Sequence, residues 1–218
     1  MSRVLLVRHG QANSTATDEE SYDKLSPLGQ QQADWLGEYL SATDHGIARV
    51  FSGTLSRQRE TAERVTRPLG LKVTIDDRLN EIDYYGLTAS AAERHALPYP
   101  TCREEFLAHM PQVLEAWADG RVETPRETFA EYQERVLSIL SEAEAEDGTM
   151  LVTSGGIIGM AVKQVLGLDR HAFAHILLQT NNSSMHRYEI EFGQRRLVTF
   201  NATPHLDPMG RSEARTYV

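Results

Sequence analysis

The stretch Val4-Leu5-Leu6-Val7-Arg8-His9-Gly10-Gln11 decides the fold. Four apolar residues in a row, with no polar residue alternating between them, are the pattern of a strand covered on both faces, as in a parallel sheet. The run breaks abruptly at a guanidinium and an imidazole, followed by a glycine. Ligands of open α/β sheets gather beyond the C-terminal ends of the strands. The same stretch therefore predicts a sheet and places reactive side chains at its edge.

Working outward, strand and helix patterns alternate. Gln11 to Lys24 is polar, lacks a period and reads as a loop. Ser26-Pro27 supplies an N-cap and a proline at the first helical position, and Leu28, Ala33, Leu36 and Leu40 form the apolar stripe of the helix that follows. Arg49–Phe51 reads as a short strand turning through Ser52-Gly53-Thr54 into a helix over about 55–69, and Leu71–Ile75 as a further strand. An amphipathic helix is expected over about 127–146, a buried strand over Met150–Thr153, and a helix from Ser154 to Leu166. The strands 185–192 and 196–201 read as a hairpin around Gly193-Gln194. This order predicts an α/β three-layer sandwich with a mostly parallel central sheet flanked by helices. The stretch from Thr88 to about Pro125 holds Pro98, Pro100, Pro111 and Pro125 around a helical pattern, Phe106-Met110-Val113-Leu114-Trp117. It reads as a helical insertion over the active site within one domain spanning 1–218. The apolar stripe is read first as core packing, and second as a lid for an apolar substrate.

The chain has 218 residues, enough for one well-buried domain, and a formal charge of −9 that argues against a general nucleic-acid or anionic-membrane surface. Cys102, the only cysteine, rules out an intrachain disulfide and a cysteine-based metal cluster, and is expected to be a partly buried small side chain. The apolar run near the N-terminus is too short for a signal-peptide core, and no stretch approaches a membrane span. A cytoplasmic location is the expectation. The C-terminal tail or the insertion offers a surface for pairing two subunits into a homodimer.

Three segments bring chemistry to the strand ends: Arg8-His9-Gly10-Gln11, Ser52 leading to Arg57, and Thr153-Ser154-Gly155-Gly156. Forked guanidinium donors and helix N-termini suit a phosphate. A neutral imidazole among them can act as a nucleophile, splitting one difficult displacement into two easier ones. Glu81, in the loop Asn80-Glu81-Ile82-Asp83, is a candidate proton donor to the leaving alkoxide, with Asp83 a competing acid.

Taken together these segments resemble the histidine phosphatase (phosphoglycerate mutase-like) superfamily. Arg8-His9-Gly10-Gln11 is similar to its opening Arg-His-Gly-Glu/Gln, and Leu25 through Ala33 to its Leu-Thr/Ser-x-x-Gly-x-x-Gln-Ala segment. Ser52 through Ala62 is similar to Ser-x-x-Leu-x-Arg-x-x-x-Thr-Ala, with Leu79-Asn80-Glu81 on the loop bearing the acid. Asn201 to Leu206 is similar to a C-terminal Asn-x-Thr-x-His-Leu stretch. The resemblance implies a phosphate monoester hydrolase acting on a small phosphorylated substrate through a phosphohistidine on His9, without metal or cofactor. It further implies that Arg8 and Arg57 hold the phosphoryl oxygens and that Glu81 is the acid and later the base. Gln11 and Asn13 would lie around the pocket.

One position departs from this pattern. Where the superfamily carries a second histidine in Val-Ser-His-Gly-Gly, this chain reads Val152-Thr153-Ser154-Gly155-Gly156. Losing one such donor costs on the order of 3 kcal/mol of transition-state stabilisation. Three explanations fit Ser154: a natural subgroup with a rearranged pocket, which we favour, a phosphate-binding module without turnover, or a substitution made to trap a complex. A phosphoglycerate mutase-type phosphotransferase is the less favoured alternative activity. His186 and His205 are the histidines that could fill the gap, although a structural role is the first reading of each.

Overall fold

The computed structural model describes residues 1–13, 19–95, 97–122 and 126–217, with only the backbone of Glu19, Glu20 and Arg94. In chain order the elements are β1 (Ser2–Arg8), α1 (Glu19–Tyr22), α2 (Pro27–Ala42), β2 (Arg49–Ser52), α3 (Ser56–Thr66), β3 (Val73–Ile75) and α4 (Tyr84–His95). They continue with α5 (Arg103–Ala118), α6 (Phe129–Glu144), β4 (Thr149–Thr153), α7 (Gly155–Leu166), α8 (Arg170–Gln179), β5 (Met185–Glu191) and β6 (Gln194–Ala202). The strands form one sheet in the order β3-β2-β4-β1-β5-β6. The β3-β2, β2-β4 and β4-β1 pairs are parallel, and β5 alone runs against the others.

Alternation along β1 builds two cores from one apolar run. Val4 and Leu6 join a core with α6, α7, α8 and the helices α4 and α5, whereas Leu5 and Val7 join a second core with α2 and α3. All four side chains are buried, and each contributes roughly 1.5–3 kcal/mol of hydrophobic stabilisation. Helices on both faces of a mostly parallel sheet make the expected three-layer sandwich. At the start of α2, Ser26 caps the helix as its sequence implies, its Oγ accepting from Gly29 N at 3.0 Å.

Several local expectations change. The 11–24 stretch contains α1, and Ala12 bridges Leu25 outside the named strands. The helix after β2 is α3 followed by a 3-10 turn at Arg67–Leu69, because Pro68 supplies no amide for a further α-helical bond. The turn between β5 and β6 is Phe192-Gly193, one residue earlier than expected, with both residues at positive φ (51° and 75°). That geometry matches the twist of the two flanking strands. Cys102 is exposed, not partly buried: it stands at the N-cap of α5, where its side chain points away from the packing.

The region expected to insert over the sheet carries α4 and α5, and its helix begins at Tyr84, before Thr88. Its far boundary at Pro125 lies outside the described residues. The apolar stripe divides: Phe106 and Met110 face a cavity at the strand ends, whereas Val113, Leu114 and Trp117 are buried in the core. α8, which the sequence reading does not separate from its surroundings, is capped by Asp169 (Oδ1 accepting from Ala172 N, 2.8 Å) and packs against α5 and α7. Among the described residues no helix is long and apolar enough to cross a membrane.

Candidate active site

The site grows from the end of β1. His9 N donates to Thr153 O on β4 (2.9 Å), and His9 O accepts from Ser183 N (3.1 Å), so the backbone beneath the imidazole is held from both sides. Gly10 lies against the start of α2 so closely that a Cβ there would stand 2.3 Å from Gly29 O. Only glycine permits this approach, which brings the N-terminal half of α2 under the site.

His9 Nδ1 lies 2.7 Å from Gly10 O. A carbonyl oxygen can only accept, so Nδ1 carries the hydrogen and Nε2 keeps the lone pair. Burial, together with the Arg57 and Arg8 guanidiniums, holds the imidazole well below the ordinary histidine pKa. The ring is therefore neutral near pH 7, the form that can attack phosphorus.

Arg8 and Arg57 are both buried, and both line the cavity with His9. Arg8 donates through Nη1 to Thr180 O. Among the described residues the Nε donors of both arginines have no partner. Buried donors without partners are uncommon, and two buried guanidiniums lining one cavity with an imidazole describe a place for an anion.

Arg57 is aimed by Asp23, which belongs to the polar stretch 11–24. Asp23 accepts from Ser56 N (2.7 Å), Arg57 N (3.1 Å) and Arg57 Nη1 (2.9 Å). The N-cap residue of α3, Leu55, has no capping side chain, so Asp23 caps this helix from 33 residues away. Tyr22 places its ring 5.1 Å from the Arg57 guanidinium carbon. The only hint in the sequence is an aspartate within a loop next to an arginine-bearing helix start, and nothing in the spacing links the two. We expect Asp23→Ala to lower kcat/KM for a phosphate ester about 10–30-fold, chiefly by raising KM, and to destabilise the fold by about 1 kcal/mol through the lost cap. Unchanged steady-state kinetics would show that Arg57 holds its position without this carboxylate.

Glu81 also lines the cavity. Its carboxylate accepts from Ile82 N (2.9 Å) and from Gly156 N at the start of α7 (3.1 Å to each oxygen). A Cβ at Gly156 would stand 2.2 Å from Glu81 Oε1, so glycine there makes room for the acid. The loop is fixed from three elements: Arg135 Nη1 donates to Asn80 O (3.0 Å), Thr153 Oγ1 to Leu79 O (2.7 Å) and Gln58 Nε2 to Leu79 O (3.0 Å). Asp83 is turned elsewhere, accepting from Gly86 N and pairing with Arg126 at 3.6 Å. Of the two candidate acids, Glu81 is the one beside His9.

The remaining sequence candidates separate. Gly155 lines the cavity, whereas Gln11, Asn13 and Ser154 do not. Gln11 Oε1 accepts from Ser26 Oγ (2.7 Å), and Asn13 Nδ2 donates to Ser21 O (3.1 Å). Ser154 is fully buried, its Oγ accepting from Gln58 Nε2 (2.8 Å). Neither His186 nor His205 fills the gap. His186 Nδ1 accepts from Asn201 N and its Nε2 meets Ser184 Oγ (2.8 Å), while His205 Nε2 meets Ser183 Oγ (2.8 Å). Among the described residues no group of three or more His, Cys, Asp or Glu side chains is arranged to hold a metal.

The sequence profile of the histidine phosphatase superfamily (branch 1) matches residues 4–203. This chain belongs to that superfamily. It is 32% identical over 200 residues to a probable phosphoglycerate mutase GpmB of Salmonella arizonae, covering 89% of this chain and 87% of the relative. It is 33% identical over 197 residues to the protein of the same name from Citrobacter koseri, covering 88% and 86%. Among solved structures, Entamoeba histolytica phosphoserine phosphatase in complex with 3-phosphoglyceric acid is similar with a TM-score of 0.67 at 19% identity, covering 94% of this chain and 100% of that one. Mycobacterial glucosyl-3-phosphoglycerate phosphatase with inorganic phosphate gives 0.66 at 22%, covering 94% and 99%. At such identities these two structures bear on the fold alone.

The buried histidines of this histidine phosphatase superfamily member set its response to acid. Burial holds His186 and His205 down to about 3, and His9 is likewise well below 6.5. Below pH 6.5 the unfolded chain takes up protons at these positions and the folded chain does not. Their contribution is fully present above about pH 6.5 and is lost as pH falls toward 3, at up to about 1.4 kcal/mol per histidine per pH unit. The urea unfolding midpoint is therefore expected to fall markedly between about pH 7.5 and about pH 5. A constant midpoint would contradict the neutral, buried state of these rings.

Proposed function

We propose that this chain is a metal-independent phosphate monoester hydrolase that passes the phosphoryl group through Nε2 of His9. The observation that carries the reading is the single lone pair left at His9 Nε2, in a residue that lines one cavity together with the buried arginines Arg8 and Arg57. In the first step Nε2 attacks phosphorus and the ester P–O bond breaks, with a proton from Glu81 going to the leaving alkoxide. Arg8 and Arg57 take the charge on the phosphoryl oxygens, and the Gly155 end of α7 adds the positive end of a helix. In the second step Glu81 takes a proton from water, the oxygen attacks phosphorus, and the N–P bond breaks to regenerate His9 and release phosphate.

Membership of a superfamily that includes phosphatases and mutases supports the reaction class. Rapid quenching with a phosphate ester in the presence of a chelator tests it. An acid-labile, base-stable phosphoenzyme formed at the rate of a product burst is expected, and turnover that depends on added metal would overturn the reading. The place of Ser154 outside the cavity favours one second reading, a module that binds phosphate tightly without turning it over. That module would bind vanadate yet show no burst.

A further inference from the structure

The phosphate end of the cavity accounts for its cations; the other end has an unusual wall. Tyr84, Tyr85, Tyr99, Phe106 and Met110 come from α4, α5 and the segment between them, and enclose with Arg8, His9 and Arg57 a space of about 230 Å³. Tyr84 meets Phe106 edge to face (5.2 Å, 72°), and Tyr85 stacks with Tyr99 (6.0 Å, 23°). We infer that this wall receives an uncharged aromatic or apolar leaving group, so that the preferred ester carries its negative charge on the phosphate alone. The inference rests on the hydrolase reading above and names its substrate class.

The charge inventory carries the argument. Among the described residues, Arg8 and Arg57 are the only cations lining the cavity, and both stand beside His9, where they act on its imidazole. A carboxylate on the leaving group, as in 3-phosphoglycerate or phosphoserine, would enter an aromatic enclosure that among the described residues has no cation of its own. Removing a carboxylate from water without a partner is strongly unfavourable. The other arginines of this region are turned elsewhere: Arg103 lies over the Tyr217 ring at 4.3 Å, Arg121 pairs with Asp119, and Arg126 pairs with Asp83. Arg94 belongs to the far end of α4, about 14 Å along the helix from Tyr85. Residues 14–18 contain no Lys or Arg.

The wall also stays neutral. Burial pushes the Tyr84 hydroxyl up to about 12 and raises Tyr99 as well. Aromatic edges and faces at these spacings accept a further ring in the offset or edge-on arrangements that aromatic groups prefer. Tyr99 is half exposed, so it serves the mouth of the cavity and not the packing of the core.

The test compares esters whose leaving groups are all alkyl alcohols, so that intrinsic reactivity does not decide the order: benzyl phosphate, ethyl phosphate, 3-phosphoglycerate and O-phosphoserine. The full chain is expected to show a kcat/KM for benzyl phosphate about 100-fold above that for 3-phosphoglycerate. Tyr99→Ala should lower the benzyl-to-ethyl ratio about 5–10-fold, mainly through KM, and Tyr99→Arg should shift the preference toward 3-phosphoglycerate. Cleavage of 3-phosphoglycerate as fast as benzyl phosphate would overturn the inference and leave the hydrolase reading standing. Cleavage of none of the esters above the His9→Ala level would instead remove the hydrolase reading. The leaving-group pocket is then judged by calorimetry with benzylphosphonate and 2-carboxyethylphosphonate. Tighter binding of the benzyl compound supports the pocket, and equal or reversed affinity overturns it.

Discussion

Replacing His9 by alanine is expected to lower the turnover of a phosphate ester by about ten-thousand-fold or more, to the limit of detection. The expectation follows from the division of labour in the cavity. Arg8, Arg57 and the start of α7 can hold an anion with or without the imidazole, so alanine at position 9 should still bind phosphate or vanadate. What disappears is the lone pair on Nε2, and with it the proposed covalent route that replaces one hard displacement by two easier ones. His9 is fixed through its backbone by Thr153 and Ser183, so truncating the side chain leaves the strand end in place. The measurement pairs turnover with vanadate affinity and thermal unfolding. Lost turnover with retained binding and folding is the predicted result, whereas residual turnover within tenfold of the parent would show that His9 is not the nucleophile.

The second large effect is a gain. Ser154→His is expected to raise kcat by roughly 100-fold, the value of one well-placed donor to the transferring group. Ser154 occupies the N-cap of α7 in an extended conformation and makes no capping bond. Its hydroxyl is spent on Gln58 Nε2, while Gln58 Oε1 is buried without a donor among the described residues. An imidazole at this position is long enough to offer one nitrogen to Gln58 and the other to the cavity that Gly155 already lines. The gain should appear in kcat more than in KM, because charge on the phosphoryl oxygens changes most in the transition state. A folded variant with unchanged kcat would mean that the pocket of this chain has reorganised around serine and lacks nothing at position 154. A variant that binds vanadate but still shows no burst would favour the binding-module reading.

Much of the fold could be read directly. Val4–Val7 predicts a strand covered on both faces, and the structure divides it between two cores. The helix starting at Ser26-Pro27 and the strand leading to Ser154 are where their patterns place them. These features are local: a run, a cap or a turn is written within a few neighbouring residues. α8 is harder to separate, because its apolar residues Phe173, Ala174, Leu177 and Leu178 acquire meaning only against α5 and α7. Cys102 shows the opposite error, since a residue type that is usually buried stands exposed at a helix start.

The site divides along the same line. By itself the sequence determined which chemical groups are present at the strand ends: an imidazole, two guanidiniums, a carboxyl loop, and a serine ahead of two glycines. Only the tertiary structure decided which of them share one cavity. Glu81 and Asp83 are two residues apart, yet one caps α7 beside His9 and the other turns to Arg126. Asp23 aims Arg57 across 34 residues. Ser154, adjacent to the lining residue Gly155, is itself turned inward to Gln58. The physical reason is that spacing along the chain encodes the direction of a side chain only within one element. Where two elements meet, direction is set by which buried donors and acceptors must find each other.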